Sequence, residues 1–306
     1  MAGAEIRPRA LRKGDLLAVP SPSGPVAPDA LRAGIALLEG RGFRVRPPRG
    51  GEPHRIFAAS DEERLSELRD AFADPEVAAI WPARGGYGLT RLLPELPPAF
   101  LREHPKLVIG FSDATALLIP LVQQAGVAAV HGPMVAHELA DPRQAPALDP
   151  LFELLAGGAE WELPVPRTLL AGRAEGPVTG GCLTVLGSLA GTPAAPRFAD
   201  SIVLIEDHYE APQRRIDRPL VQLRQAGAFD GARAIFFGEM HECGTFEEIA
   251  ATILDCLGDL GIPIGFGAPV GHAVPHFAVP FGTRAELVLA EQGGGTLRGL
   301  EPVVTS

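Results

Sequence analysis

Leu107-Val108-Ile109-Gly110-Phe111-Ser112-Asp113-Ala114-Thr115 sets the architecture. Its apolar run, closed by Gly110, has the length of a buried strand, and a helical stretch over 114–125 follows at once, interrupted by Pro120. A strand that passes directly into a helix is half of a βαβ unit, which builds a parallel sheet covered on both faces. The same alternation repeats upstream and just downstream. Strands are expected over 16–19, 43–45, 77–81, 106–109 and 127–130. Leu31, Ile35 and Leu38 fall on one face of a helix over 29–40 that ends on glycine. Ser60 with Glu63 forms a capping box, and Leu65, Leu68 and Phe72 line one face of the helix it starts.

From 141 to 176 the periodicity lapses among Pro142, Pro146, Pro150, Pro164 and Pro166, leaving room for one short helix over 148–156. Beyond it, strands are expected over 201–205, 232–237, 262–266 and 285–289, with helices over 217–228 and 245–257. The fold class expected is α/β. An N-terminal parallel-sheet domain over 1–141 is followed by an interdomain linker over 142–176. A second, smaller, β-rich α/β domain covers 177–306.

With 306 residues, 46% hydrophobic and 21% charged, the chain has enough length and apolar content for a sizeable core without disulfides. Its three cysteines form no C-x-x-C pair, which suits a reducing compartment, and a cytoplasmic location is expected. The Arg-rich start is not followed by the apolar run of about 7–15 residues that a secretory signal needs. No stretch approaches the roughly 18–20 apolar residues of a membrane span. A net charge of −10 repels phosphate backbones, so neither nucleic acid nor membrane is an expected partner.

A serine at a strand-to-helix turn has its hydroxyl pushed out of the sheet top, beside N–H groups that a helix N-terminus leaves unpaired. Gly110-x-Ser112-x-Ala114 has that form. Ser112 is therefore a candidate nucleophile; the alternative is that Ser112 or Asp113 is a helix N-cap, which both residue types favour. Ala83-Arg84-Gly85-Gly86-Tyr87-Gly88 is a second glycine-rich turn after a strand. It lacks the Lys-Ser/Thr of a phosphate loop, and supplies either a second oxyanion donor or a plain strand–helix turn. Of eight histidines, His131 and His272 both follow strands, where α/β sites form, and either can serve as base. His276 stands four residues after His272, but Pro275 breaks a helical pair and no third ligand presents itself, so no metal is expected. The apolar run 202–205 ends in Glu206-Asp207-His208. A carboxylate there needs a hydrogen-bonding partner, and an imidazole N–H is a natural one; capping the next loop, or pairing with Arg214, Arg215 or Arg218, would serve too.

Together these segments resemble the LD-carboxypeptidase family of bacterial serine peptidases, which includes the microcin-C immunity peptidases. The resemblance spans nearly the whole chain. It runs from Gly14-Asp15 through Pro20-Ser21, the Arg84-Gly85-Gly86-Tyr87-Gly88 turn, the Ser112 elbow and His131-Gly132-Pro133-Met134. It continues through Gly180-Gly181-Cys182-Leu183, Gly191-Thr192-Pro193, Glu206-Asp207, Ile216-Asp217-Arg218, Gly271-His272 and Pro280-Phe281-Gly282. It implies a triad of Ser112, Glu206 and His272, with an oxyanion hole from the backbone N–H groups of Asp113 and Gly86. Arg84, Gly85 and Tyr87 are assigned to substrate binding, Arg84 by position as the cation for a free carboxylate. The implied reaction removes terminal D-alanine from a murein tetrapeptide, without cofactor, in a homodimer. Cys182 stands where the family usually has Asn, and Phe111 where it usually has Tyr; neither is a triad position.

Two other readings compete. One is an immunity-type peptidase acting on a peptidyl or aminoacyl nucleotide, for which Trp161 is the obvious aromatic platform; the run Glu206-Asp207-His208-Tyr209-Glu210 looks more like the murein branch. The other is a non-catalytic α/β binding protein whose Ser112 only caps a helix.

Overall fold

A computed structural model describes residues 3–208 and 214–305; Tyr209 and Glu210, cited above, lie outside the described residues. The first part alternates as its apolar periodicity requires: β1 (Leu16–Ala18), α1 (Pro28–Gly40), β2 (Arg44–Arg46), α2 (Asp61–Ala73), β3 (Val77–Ile80), α3 (Leu89–Leu92), α4 (Pro98–Glu103), β4 (Leu107–Gly110), α5 (Thr115–Gln123) and β5 (Ala129–His131). β2-β1-β3-β4-β5 pair in parallel. The capping box forms as read: Ser60 Oγ accepts from Glu63 N at 3.2 Å, and Glu63 Oε2 accepts from Ser60 N at 3.0 Å.

The remainder comprises α6 (Ala145–Leu155), β6 (Glu162–Val165), β7 (Arg167–Leu170), β8 (Gly172–Cys182), α7 (Leu183–Leu189), β9 (Ile202–Glu206), α8 (Arg214–Gln225), β10 (Ala234–Gly238), α9 (Phe246–Leu257), β11 (Ile264–Ala268), β12 (Val279–Phe281), β13 (Arg284–Leu289) and β14 (Gly295–Gly299). The second sheet runs β6-β14-β13-β8-β9-β10-β11-β7, with β8 to β11 parallel and the flanking strands antiparallel.

Two features differ from the expected division. Residues 142–176 are not a bare linker: they form α6, supply both edge strands of the second sheet and begin β8. Pro164 is tolerated there because β6 is an edge strand. The units also exchange a strand, since β12 pairs antiparallel with β5 at the end of the first sheet, Val279 opposite His131.

An apolar core joins the two sheets, combining Leu117, Leu118 and Leu121 of α5 with Val178, Leu204, Phe236 and Val279. α5 is apolar all round, as an interior helix must be, and it packs on β8 and α7. Its three leucines are 0% exposed, each stabilising the junction by about 1.5–3 kcal/mol. This junction carries the C-terminal ends of β4, β5 and β9. Among the described residues no helix is long and apolar enough to cross a membrane.

Candidate active site

β4 delivers Ser112 into a 3-10 turn, Ser112–Ala114, that runs into α5. Ser112 has φ 56°, in left-handed backbone, which costs about 1–3 kcal/mol for such a residue and persists only where the surroundings hold it. Asp113 holds it from below. Its buried carboxylate accepts from Ser23 Oγ at 2.6 Å and from Leu89 N at 2.9 Å; burial raises its pKa, and these bonds oppose the rise. From the second unit, Cys182 N donates to Thr115 Oγ1 at 3.1 Å, latching the start of α5 to the end of β8. The Gly85 turn closes on the serine. A Cβ at Gly85 would stand 3.0 Å from Ser112 Oγ and 3.2 Å from Met134 Cε, so only glycine leaves that approach open. Neither Gly86 N nor Asp113 N makes a hydrogen bond within the described protein.

Glu206 ends β9 with its carboxylate fully buried, and Oε2 takes His272 Nδ1 at 2.7 Å. Gly271, at φ 100°, is required for that contact, because a Cβ there would strike the Glu206 carboxylate and lie 2.9 Å from its Cβ. Burial alone would drive the Glu206 pKa up. The neighbouring His272 charge, together with the two imidazoles beside it, overcomes burial and holds it well below the ordinary carboxylate value. For His272 burial works downward, yet the Glu206 charge and hydrogen bond, helped by Asp207 and Glu138, leave its pKa raised above 6.5.

The His272 ring is fixed on both sides. His208 stacks on it at 3.7 Å between centroids and 8° between planes, and Phe111, next to Ser112, meets it edge-on at 4.9 Å. Burial and the His272 charge lower the His208 pKa to about 4. No hydrogen bond joins Ser112 Oγ to His272 among the described residues, so the expected serine–histidine contact is not made here; such contacts often tighten only when substrate binds. Both candidate bases face the same carboxylate: His131 Nε2 stands 3.7 Å from Glu206 Oε1.

Arg84 borders the serine turn and donates from Nη1 to Pro25 O at 2.9 Å. Tyr87 is half-exposed beside Phe57. Of two further neighbours of the site, Glu138 carried no readable signal, whereas Asp207 belongs to the Glu206-Asp207 pair that ends the apolar run 202–205. Glu138 sits on a turn tied to the segment that carries Arg84 by Ala136 N donating to Ala83 O at 2.8 Å. Its Oε2 is buried without a partner among the described residues, and burial, opposed by its own backbone and by His272, raises its pKa to about 7. Asp207 accepts from Thr184 N and Oγ1, both at 2.8 Å, and orients the end of β9. Trp161 lies elsewhere. It packs on Gly299 and lines a cleft with Leu154 and Phe277 that none of Ser112, Glu206 and His272 enters. A larger cleft, about 580 Å³, opens beside Pro25 and the first turn of α2, and also lacks all three. Among the described residues no cluster of His, Cys, Asp and Glu is arranged to hold a metal ion.

A strained serine at a strand–helix turn, next in sequence to a phenylalanine that packs on a histidine oriented by a buried carboxylate, is a layout suited to acyl transfer. The family models for the LD-carboxypeptidase N-terminal and C-terminal domains match residues 17–132 and 175–287. The chain belongs to the LD-carboxypeptidase family and is, at that level, a peptidase. It is 34% identical over 291 residues to the murein tetrapeptide carboxypeptidase of Pseudomonas aeruginosa, covering 89% of this chain and 92% of that one. It is 32% identical over 296 residues to the probable murein peptide carboxypeptidase of Bacillus subtilis, covering 94% and 92%. Among solved structures, the muramoyltetrapeptide carboxypeptidase of Oxalobacter formigenes shares the fold at TM-score 0.84 and 30% identity, over 94% of this chain and 99% of that one. An MccF-like protein from Bacillus anthracis does so at TM-score 0.86 and 26% identity, over 96% and 99%.

Proposed function

We propose that the chain is a serine carboxypeptidase that hydrolyses the L,D-peptide bond releasing terminal D-alanine from murein tetrapeptide, in the cytoplasm and as a homodimer. The observation that carries the reading is the 2.7 Å contact between Glu206 and His272 Nδ1, set beside a serine in left-handed backbone. Glu206 keeps the proton on Nδ1, leaving Nε2 as the basic nitrogen. His272 takes the Ser112 proton as Oγ attacks the scissile carbonyl, and the imidazolium is stabilised by the buried carboxylate. The N–H groups of Asp113 and Gly86 receive the oxyanion, each contributing on the order of 3–4 kcal/mol to the transition state. Collapse expels the D-alanine amine with the proton from His272, and water then hydrolyses the acyl-enzyme by the same route. Arg84 is assigned to the substrate's terminal carboxylate.

The relatives named for murein peptides favour this substrate over a nucleotide conjugate. So does the position of Trp161, the platform expected for a nucleotide base, which lines a cleft that Ser112, Glu206 and His272 do not enter. The test is incubation of L-Ala-γ-D-Glu-meso-diaminopimelate-D-Ala with wild type and with Ser112→Ala, followed by mass spectrometry. Loss of one alanine with wild type alone supports the assignment. Intact peptide with both sinks the murein substrate and directs the search to aminoacyl nucleotides.

A further inference from the structure

We propose that His131 is a positioning residue of this site: it fixes the second oxygen of Glu206, and His276, clamped by Gln144, holds it in the required tautomer. The inference rests on the reading of Ser112, Glu206 and His272 given above.

Glu206 has two carboxylate oxygens and, among the described residues, one hydrogen bond. Oε2 takes His272; Oε1 is buried without a hydrogen-bond partner and faces His131 Nε2 at 3.7 Å. That separation exceeds a hydrogen bond. In a pocket where both residues are 0% exposed, it still lets an N–H dipole act strongly on the carboxylate charge. The other nitrogen of His131, Nδ1, lies 3.3 Å from His276 Nε2, so one of the two must donate.

The carboxylate decides which. A proton on His131 Nδ1 would leave a bare lone pair on Nε2 facing a buried anion. A proton on Nε2 turns that repulsion into attraction and leaves Nδ1 to accept from His276. His276 then carries its proton on Nε2, and its bare Nδ1 is the atom that finds no partner. The chain of donors runs inward from both ends: His276 to His131, His131 toward Glu206 Oε1, and His272 to Glu206 Oε2.

The far end is anchored. His276 N donates to Gln144 Oε1 at 2.8 Å, and Gln144 Nε2 donates back to His276 O at 2.6 Å, with the Gln144 side chain fully buried. Phe111 fills the gap edge-on, 4.6 Å from the His276 ring. Residues from β5, from the segment before β12 and from the start of the connecting stretch thus converge on the carboxylate at the join of the two sheets.

Without the donor on Oε1, Glu206 draws the His272 proton harder, so the acid limb of the kcat/KM profile moves to higher pH. Asp207, Glu138, His208 and His276 also act on His272 and are kept in the variant. The first measurement uses the whole chain labelled with 15N-histidine, at pH 8 and without substrate. The expected pattern is protonation of His272 on Nδ1 and of His131 and His276 on Nε2; protonation of His131 on Nδ1, or on both nitrogens, overturns the proposal. The second is kinetic. His131→Leu is expected to lower kcat/KM on the tetrapeptide by about tenfold, through kcat, with the acid limb raised. His131→Gln, which keeps a donor on that side, is expected to recover most of the rate and the wild-type limb. Equal losses in both variants with an unmoved limb overturn the proposal. The NMR arm needs no turnover, so a wild type inactive on the tetrapeptide would count against the substrate assignment without deciding this one.

Discussion

Replacing Glu206 by Gln keeps shape and volume while removing the charge, and the structure shows why that exchange has no good outcome. The side chain is fully buried between two imidazole nitrogens, 2.7 Å from His272 Nδ1 and 3.7 Å from His131 Nε2. With the amide oxygen toward His272, its NH2 faces the His131 nitrogen that points at the site. With the amide flipped, the NH2 confronts His272 Nδ1 and drives the imidazole proton to Nε2, which disarms the base toward Ser112. Either way the imidazolium formed on attack loses its anion. Loss of the orienting carboxylate in such a triad is worth about 10³–10⁴ in kcat, or roughly 4–5.5 kcal/mol. Single-turnover and steady-state kinetics on the tetrapeptide measure it, with far-UV circular dichroism as a check on folding. A Glu206→Gln enzyme within tenfold of wild-type kcat would refute the orienting role.

Activity requires neutral His272, and its raised pKa places the acid limb of kcat/KM above pH 6.5; a limb at or below that value contradicts the His272–Glu206 coupling. The same coupling makes opposite stability demands. The His272 contribution is full below about pH 6.5 and fades as pH rises through the raised folded value. The Glu206 contribution is present above about pH 4.5 and is lost as pH falls through its lowered folded value. Urea titrations across pH, compared between wild type and His272→Ala, read both arms. Glu138→Gln removes a charge that raises the His272 pKa, so the acid limb should move to lower pH, as a pH–rate profile will show. Arg84→Ala should raise KM about 10–100-fold, the value of one charge-assisted hydrogen bond, with kcat little changed. A substrate ending in D-alaninamide should lose that difference.

The elbow was legible because its elements are local. The buried run 107–110, the glycine before Phe111 and the helix behind Ser112 all act within one stretch of chain, and the same holds for the Ser60–Glu63 box. Glu206 was legible for a related reason, since a carboxylate closing an apolar strand has to be partnered. The edge strands β6 and β7 were not legible. Pro164 inside β6 and Pro166 just before β7 remove the periodicity by which strands are read, and only the finished sheet shows that an edge tolerates them. β12 is three residues containing a proline, and its pairing with β5 is set by tertiary packing. The contact between His131 and His276 spans 145 positions, so in the sequence His131 reads by itself as a possible base after a strand and His276 only by its spacing from His272. Glu138 lies in an Ala-rich turn with no pattern around it, and its character comes wholly from burial.

The central claim is that Ser112 is a nucleophile armed by His272 and Glu206. It is tested most directly by a fluorophosphonate, which forms a stable phosphonyl adduct with an activated serine. Peptide mapping by mass spectrometry after labelling should place the adduct on Ser112 in the wild type. Labelling should be absent in Ser112→Ala and strongly slowed in Glu206→Gln. An adduct on another residue, or labelling of Glu206→Gln at the wild-type rate, would contradict the account.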